Sequence, residues 1–293
     1  MEKAKLLFLL IFLILSVAFV GFTPLFDGAN EHMTNIMAYF MGADFVNEPS
    51  VVAHIPKLHK AVKDLDKELV AELLSHKVNL EKHGPDGWTA LSLAVPEGSM
   101  EIAKLLLEKG AKVDAGKNCG WTPLQLSITN NYHDIARLLI ERGANIQAPN
   151  KAGNTPLHLA LICNEEETTQ LLIGKGAKIN AHNATGMTPL HIAALMELKT
   201  MANLLLEKDA NIESEDNAGM TPLHIAAEEG SIELVAFLVS KGANLKALTK
   251  NKRTVLELAR ENNNSTVVNF LNAKNRGETI VIPIKDTLES NGE

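Results

Sequence analysis

A leucine recurs every 33 residues along most of this chain, with no insertion or deletion between its copies. The recurring residues are Leu58, Leu91, Leu124, Leu157, Leu190, Leu223 and Leu256. A fixed period of this length is typical of a solenoid, in which each structural unit stacks on the one before it. The period therefore predicts a chain that offers a binding surface rather than an active site.

The residues around each leucine predict the start of a helix. Around Leu223 the chain reads Gly-Met-Thr-Pro-Leu-His-Ile-Ala-Ala, and closely similar segments surround Leu190 and Leu157. The threonine hydroxyl can cap a free backbone N–H group, and proline fits a first-turn position that needs no N–H group. A second apolar run follows and ends in a Gly-Ala pair, where glycine suits the left-handed conformation that closes a helix. Each unit is thus predicted to contain two helices and a loop.

This pattern resembles the ankyrin repeat family. The Gly-x-Thr-Pro-Leu-His-x-Ala motif and the Gly-Ala ending carry the resemblance, which covers residues 52–272 in seven units. It implies an all-α fold, an ankyrin-repeat solenoid with a helix-turn-helix and a loop or β-turn in each repeat. The first and last units depart from the motif, as capping repeats do. The resemblance also implies a structural role for the motif histidines at His158, His191 and His224.

Two residues depart from the repeat motif, and each predicts a local feature of the backbone. Asp209 stands where other units have the closing glycine, and aspartate tolerates the left-handed conformation better than most residues. Pro96 lies at the end of the first helix of the second unit, where it is expected to shorten or kink that helix.

The segment from residue 6 to residue 22 is apolar apart from Ser16. Lys3 and Lys5 precede it, and the next lysine or arginine is Lys57. The positive-inside rule then predicts that the repeats lie outside the cytoplasm. Residues 1–22 are either a signal peptide cleaved after Ala18, giving a periplasmic or secreted protein, or a signal anchor that holds a single-pass membrane protein.

Two flanks lack the repeat. Residues 23–51 contain apolar residues at helical spacing, and they predict a capping helix that covers the first repeat. These residues are Met33, Ile36, Met37, Phe40 and Met41. Residues 273–293 form a polar tail with one short apolar run at 280–284.

The composition and the spacing of reactive residues argue against nucleic-acid binding, a metal site and an enzymatic active site. The net charge is −7 and no lysine and arginine cluster is interleaved with aromatic residues, which argues against nucleic-acid binding. Equivalent histidines of stacked helices are about 8–10 Å apart and cannot share one metal ion. The glutamates at 165–167 are interpreted as a solvated helix surface. No catalytic residue, metal or cofactor is therefore predicted, and the chain is not expected to be an enzyme.

The resemblance to ankyrin repeats implies that a partner protein binds at the first helices and the loop tips, which form the concave groove. The position before each motif threonine is assigned to the loop tips, and the last turn of each first helix is assigned to an apolar and acidic patch. The tip residues are Trp88, Trp121, Met187 and Met220. The patch residues are Ile162, with its neighbour Cys163, then Leu195, Met196, Glu228 and Glu229. Tip side chains could instead pack against the next loop, and a small helix rotation could bury the patch.

The functional prediction is a monomeric, non-enzymatic module that binds a protein partner through the concave face of the solenoid, outside the cytoplasm. Two alternatives stay open. The chain could be a secreted effector that captures a host protein, or a structural accessory to an exported enzyme. Residues 6–22 would add contact with the membrane if they are not cleaved.

Overall fold

The computed structural model describes residues 56–117 and 120–278 of the chain. Within these ranges the protein is helical and contains no strand, although an isolated backbone bridge joins Leu248 and Thr254. The described residues fall into two compact units, of which the first ends at Thr185 and the second begins at Gly186.

Helices occur in pairs, and each pair occupies one period of the sequence. The first unit contains α1 (Lys57–Lys63), α2 (Lys67–Ser75), α3 (Ala90–Ala94), α4 (Met100–Glu108), α5 (Pro123–Thr129), α6 (His133–Glu141), α7 (Pro156–Ile162) and α8 (Glu166–Gly174). The second unit contains α9 (Pro189–Leu195), α10 (Lys199–Glu207), α11 (Pro222–Glu229), α12 (Ile232–Ser240), α13 (Val255–Glu261) and α14 (Ser265–Asn275). The predicted helix pairs are thus observed.

The Thr-Pro sequence starts the first helix of a pair as predicted. At α5, the Thr122 hydroxyl accepts a hydrogen bond from the backbone N–H of Gln125, and Pro123 occupies the first turn. The Gln125 side chain accepts in return from the Thr122 N–H at 3.1 Å. This reciprocal capping box satisfies backbone donors that the helix itself leaves unpaired.

The predicted helix ends are also confirmed. Gly143 closes its pair with a φ of 85°, and Asp209 adopts a φ of 61° at the equivalent position of a later pair. Helix α3 has 5 residues, whereas α5 has 7. The shorter α3 ends just before Pro96, which cannot continue the backbone ladder.

The repeated leucines form the core of each unit. Leu124 and Leu157 are fully buried in the first unit, and Leu190 and Leu223 are buried in the second. Burial of one leucine side chain contributes roughly 1.5–3 kcal/mol. Leu256, in the last pair, is half-buried. The strict period therefore reflects a position that is removed from water in pair after pair.

Loops between successive pairs are joined by backbone hydrogen bonds. In the first unit the Ala184 N–H donates to the Ala152 carbonyl at 3.0 Å. In the second unit the Lys250 N–H donates to the Ala218 carbonyl at 2.9 Å. Because these two hydrogen bonds tie one loop tip to the next, the backbones of the tips that they join are held in defined positions.

Leu65 occupies a strained turn between α1 and α2. Its φ is 55° and 49% of its surface is exposed, whereas all later turns except the one at Glu197 have glycine or asparagine at this position, such as Asn131 with a φ of 61°. A left-handed backbone costs leucine roughly 1–2 kcal/mol, and asparagine tolerates it better. We expect Leu65→Asn to raise the free energy of unfolding by about 1 kcal/mol, measured by denaturant unfolding.

The reciprocal variant Asn131→Leu is the matched control, since Asn131 is also an exposed turn residue of the first unit. It is expected to lower the free energy of unfolding by a similar amount. If both variants shift the stability in the same direction, turn strain at this position is not the cause.

Several sequence predictions concern residues outside the described ranges. These are the signal peptide or anchor in residues 1–22, the capping helix within 23–51 and the apolar run at 280–284. Among the described helices, none combines the length and the apolarity needed to cross a membrane. The boundaries 52–272 and 273–293 remain predictions.

Candidate partner-binding surfaces

Trp88, a predicted tip residue of the first unit, is half-buried. Its carbonyl accepts hydrogen bonds from Nε2 of the buried His59 at 2.9 Å and from the Gly84 N–H at 2.8 Å. The ammonium of Lys117 lies 4.8 Å from the centroid of its indole ring. A cation over the ring face stabilises one indole orientation, so Trp88 is held by both its backbone and its ring.

Trp121 is half-buried as well. Its carbonyl accepts from the backbone N–H of Lys117 at 2.9 Å. Lys117 therefore connects the two tryptophans, one through its side chain and the other through its backbone. The sequence prediction missed Lys117, because no motif residue marks it and its partner Trp88 belongs to the preceding repeat.

Met187 was predicted to face solvent at a loop tip, but it is buried. Only 8% of its surface is exposed, so it is not available to a partner at the loop tip. At the equivalent position of the first unit, the buried Asn154 side chain accepts a hydrogen bond from the Asn183 amide of the next loop at 2.8 Å. The Asn154 side chain is thus directed toward the neighbouring loop, which is the alternative that the sequence left open for this position.

Met220 is the half-buried tip residue of the second unit. Its N–H donates to the Asp216 carboxylate at 2.8 Å, and its carbonyl accepts from His191 Nε2 at 2.9 Å. The backbone is therefore fixed at both polar groups. Of the four predicted tip residues, Trp88, Trp121 and Met220 keep partly exposed side chains and Met187 does not.

Ile162 and Cys163 end helix α7 in the first unit, and both are half-buried rather than exposed. Burial raises the pKa of the Cys163 thiol to about 12, and the charge of Glu165 adds to this effect. The thiol is therefore protonated at neutral pH and is a poor nucleophile.

The glutamates at 165–167 are not a uniform solvated surface. Glu166 and Glu167 are exposed, but Glu165 is buried at the start of α8. The Thr168 hydroxyl donates to the Glu165 carboxylate at 2.5 Å, and burial raises the pKa of this carboxyl. The interpretation as a solvated surface is wrong for Glu165, because its carboxylate is buried and takes its hydrogen bond from Thr168 within the protein.

Leu195 and Met196 end helix α9 in the second unit, and Glu228 and Glu229 end helix α11. All four are half-buried. Burial raises the pKa of Glu229, and the charges of Glu228 and Glu197 raise it further. These like charges are therefore close together, beside two apolar side chains. We call Leu195, Met196, Glu197, Glu228 and Glu229 the acidic-apolar surface.

Glu197 was not predicted to belong to this surface. It occupies the turn position that carries glycine in the next pair, at Gly230, and it adopts a φ of 57°. The end of α11 is fixed by Asn264, whose side-chain amide donates to the Ala227 and Glu228 carbonyls at 2.9 and 2.7 Å. The glutamates at the end of α11 are therefore presented from an ordered helix terminus.

The motif histidines take structural positions. His191 is fully buried, and its Nδ1 accepts from the N–H and the hydroxyl of Thr188 at 3.1 and 2.8 Å. Burial lowers the pKa of His224 at the equivalent position, although the backbone carbonyls of Ala247 and Arg253 oppose the effect. In the part of the chain that the structure describes, no three histidine, cysteine, aspartate or glutamate residues form a group that could hold a metal ion.

Comparison with known proteins identifies the family. The model for ankyrin repeats, in the form that spans 3 copies, matches residues 58–150, 146–216 and 210–282. The chain belongs to the ankyrin repeat family. Ankyrin repeats generally mediate protein–protein interaction, and members of the family are typically non-enzymatic.

A solved structure supports the same assignment. The crystal structure of the ankyrin repeat domain of Bcl-3, described as a unique member of the IκB protein family, is 29% identical in sequence with a TM-score of 0.67. The similarity covers 75% of this chain and 99% of the Bcl-3 chain. A search of curated proteins found no match. The predicted all-α ankyrin-repeat solenoid is confirmed.

Proposed function

We propose that this ankyrin-repeat chain is a non-enzymatic binding module that captures a protein partner at the acidic-apolar surface. The observation that carries the proposal is the combination of Leu195 and Met196 with three neighbouring carboxylates, at least one of which is partly desolvated. An opposite charge from a partner would relieve the repulsion among the glutamates. The partner segment that fits is therefore apolar with flanking lysine or arginine residues.

The exposed parts of Leu195 and Met196 would supply the apolar contact. Methionine adapts its shape to a partner surface, and a few buried apolar side chains commonly carry most of the binding energy of an interface. The glutamates around them would select a cationic partner and speed its association. Trp88, Trp121 and Met220 are proposed as further contacts of the loop tips, as is Ile162 at the end of α7.

We further propose that the binding module acts outside the cytoplasm, with residues 6–22 as its anchor or cleaved signal. The support is the absence of lysine and arginine between Lys5 and Lys57 and the lysines that precede the apolar segment. A reagent that does not cross membranes can therefore be used to cross-link the partner. Labelling of the repeats in intact cells is expected, and protection from the reagent would contradict this location.

The test of the surface is capture by cross-linking in the native cells, with the Leu195→Asp/Met196→Asp variant beside the unmodified chain. Loss of two apolar contacts is expected to weaken capture of a single partner at least about 100-fold. The matched control is Leu248→Asp, because Leu248 is an apolar residue of the second unit with 52% of its surface exposed. It is expected to capture the partner normally.

Circular dichroism of both variants checks that the helices are retained. A Glu228→Lys/Glu229→Lys variant tests the charge contribution separately, and it is expected to weaken capture of a cationic partner. If the Leu195→Asp/Met196→Asp variant captures the partner as well as the unmodified chain does, the acidic-apolar surface is not the binding site.

A further inference from the structure

The first helix pair carries apolar side chains that its described neighbours do not cover. Leu69 on α2 has 38% of its surface exposed and Val78, in the loop after α2, has 37%. Leu73, one turn after Leu69, is half-buried. We call these three residues the outer face. A terminal repeat normally presents a polar surface to water, so this face requires an explanation.

The same positions are buried in the next pair. One period later the chain has Ile102, Leu106 and Ala111, and all three are buried. The helices of the first pair pack against those of the second, α1 on α3 and α2 on α4. Residues at these positions are therefore candidates for contact with the preceding pair.

The last helix pair shows which side the positions face. Val267 and Leu271 on α14 are the equivalents of Leu69 and Leu73, and both are buried. No helix pair follows α14 in the described residues. These positions are thus covered by the pair before them and not by a pair after them. In the first pair, the cover must come from something that takes the place of a preceding repeat.

We propose that residues 33–41 of this same chain cover the outer face. Their apolar side chains recur at helical spacing on one side, as an amphipathic segment needs for such a contact. The 14 residues from 42 to 55 join this segment to Pro56, the residue before α1. An extended chain of that length spans up to about 45–50 Å, more than the roughly 10 Å between packed helices.

Charge complementarity favours this occupant. Complementarity concerns α1, which carries Lys57, Lys60 and Lys63 and no acidic residue, whereas α2 carries Lys67 together with Glu68 and Glu72. Residues 23–51 contain four acidic residues and no lysine or arginine. These acidic residues are Asp27, Glu31, Asp44 and Glu48.

The test measures the accessibility of a cysteine on the outer face in the full chain. Leu69→Cys is made in a background in which Cys119 and Cys163 are serine, and its rate of reaction with a maleimide is followed. Cover by residues 33–41 is expected to make this thiol react at least about tenfold more slowly than Leu248→Cys in the same background. Adding Met37→Asp/Phe40→Asp is expected to remove the difference.

Each outcome decides the proposal. If Leu69→Cys reacts as fast as Leu248→Cys when residues 33–41 are unmodified, the outer face is uncovered and the proposal is wrong. If the thiol is protected but Met37→Asp/Phe40→Asp leaves it protected, another occupant covers the face. If that occupant is a second copy of the chain, dilution of the protein lowers the protection of the thiol. If it is a lipid or detergent, the protection changes with the solubilising agent.

Discussion

Replacing Gly153 with alanine is expected to lower the free energy of unfolding by about 3–5 kcal/mol. Gly153 has a φ of 75°, and an added Cβ would lie 2.5 Å from the backbone nitrogen of Ala184. No side-chain rotation relieves a contact with the backbone. The two loops would have to separate, which would strain the hydrogen bond from Ala184 to Ala152 and the contact of Asn183 with Asn154.

The matched control for this prediction is Gly143→Ala. Gly143 also has a positive φ, 85°, but nothing lies within 4 Å of an added Cβ. The control therefore measures the backbone cost alone, about 1–2 kcal/mol. Denaturant unfolding followed by circular dichroism measures both variants. Equal losses of unfolding free energy in the two variants would show that the close approach of the loops is not what requires glycine at position 153.

The contrast between these two glycines shows what the sequence could predict. Both belong to repeated motifs, and the period alone predicts a turn at each. The left-handed closures at Gly143 and Asp209 follow from the ordinary conformational preferences of those residues. The close contact at Gly153 does not, because it depends on the position of a backbone nitrogen in the next loop.

Side-chain exposure was predicted less well than backbone structure, for a related reason. The period places Leu69 and Ile102 at the same position, yet the first is partly exposed and the second is buried. Ile102 is preceded by a described helix pair that packs against its own, whereas Leu69 belongs to the first pair that the structure describes. Met187 was expected at a solvent-facing tip and is buried, because the period fixes its register but not the direction of its side chain.

The candidate surface illustrates the same limit. Leu195 and Met196 were predicted to be exposed, and a small helix rotation was the alternative that would bury them; they are half-buried. The repeat pattern gives the register of these two residues, but it does not specify how much of each side chain its neighbours cover. The repeat pattern does not predict Glu197 in this surface, since its position in the motif favours glycine or asparagine rather than a charged residue.

His191→Ala is expected to lower the free energy of unfolding by about 3–5 kcal/mol. The neutral ring accepts from Thr188 at Nδ1 and donates from Nε2 to the Met220 carbonyl, so one side chain joins a helix start to the next loop. Alanine would remove the acceptor of the buried Thr188 N–H and one of the two donors to the Met220 carbonyl, the other being the Asp216 N–H, and it would also leave a cavity. Denaturant unfolding measures the loss.

His191→Gln separates the hydrogen bonds from the aromatic ring. In the first unit, Gln125 occupies the equivalent position, accepts from the Thr122 N–H and donates to the Ala148 carbonyl in the following loop at 2.8 Å. Glutamine at 191 can therefore cap its helix and reach a carbonyl of the next loop. Its expected loss is at most about 1.5 kcal/mol. If glutamine were as damaging as alanine, the ring's packing rather than its hydrogen bonds would set the stability. Histidine at this position would then act chiefly by filling the core.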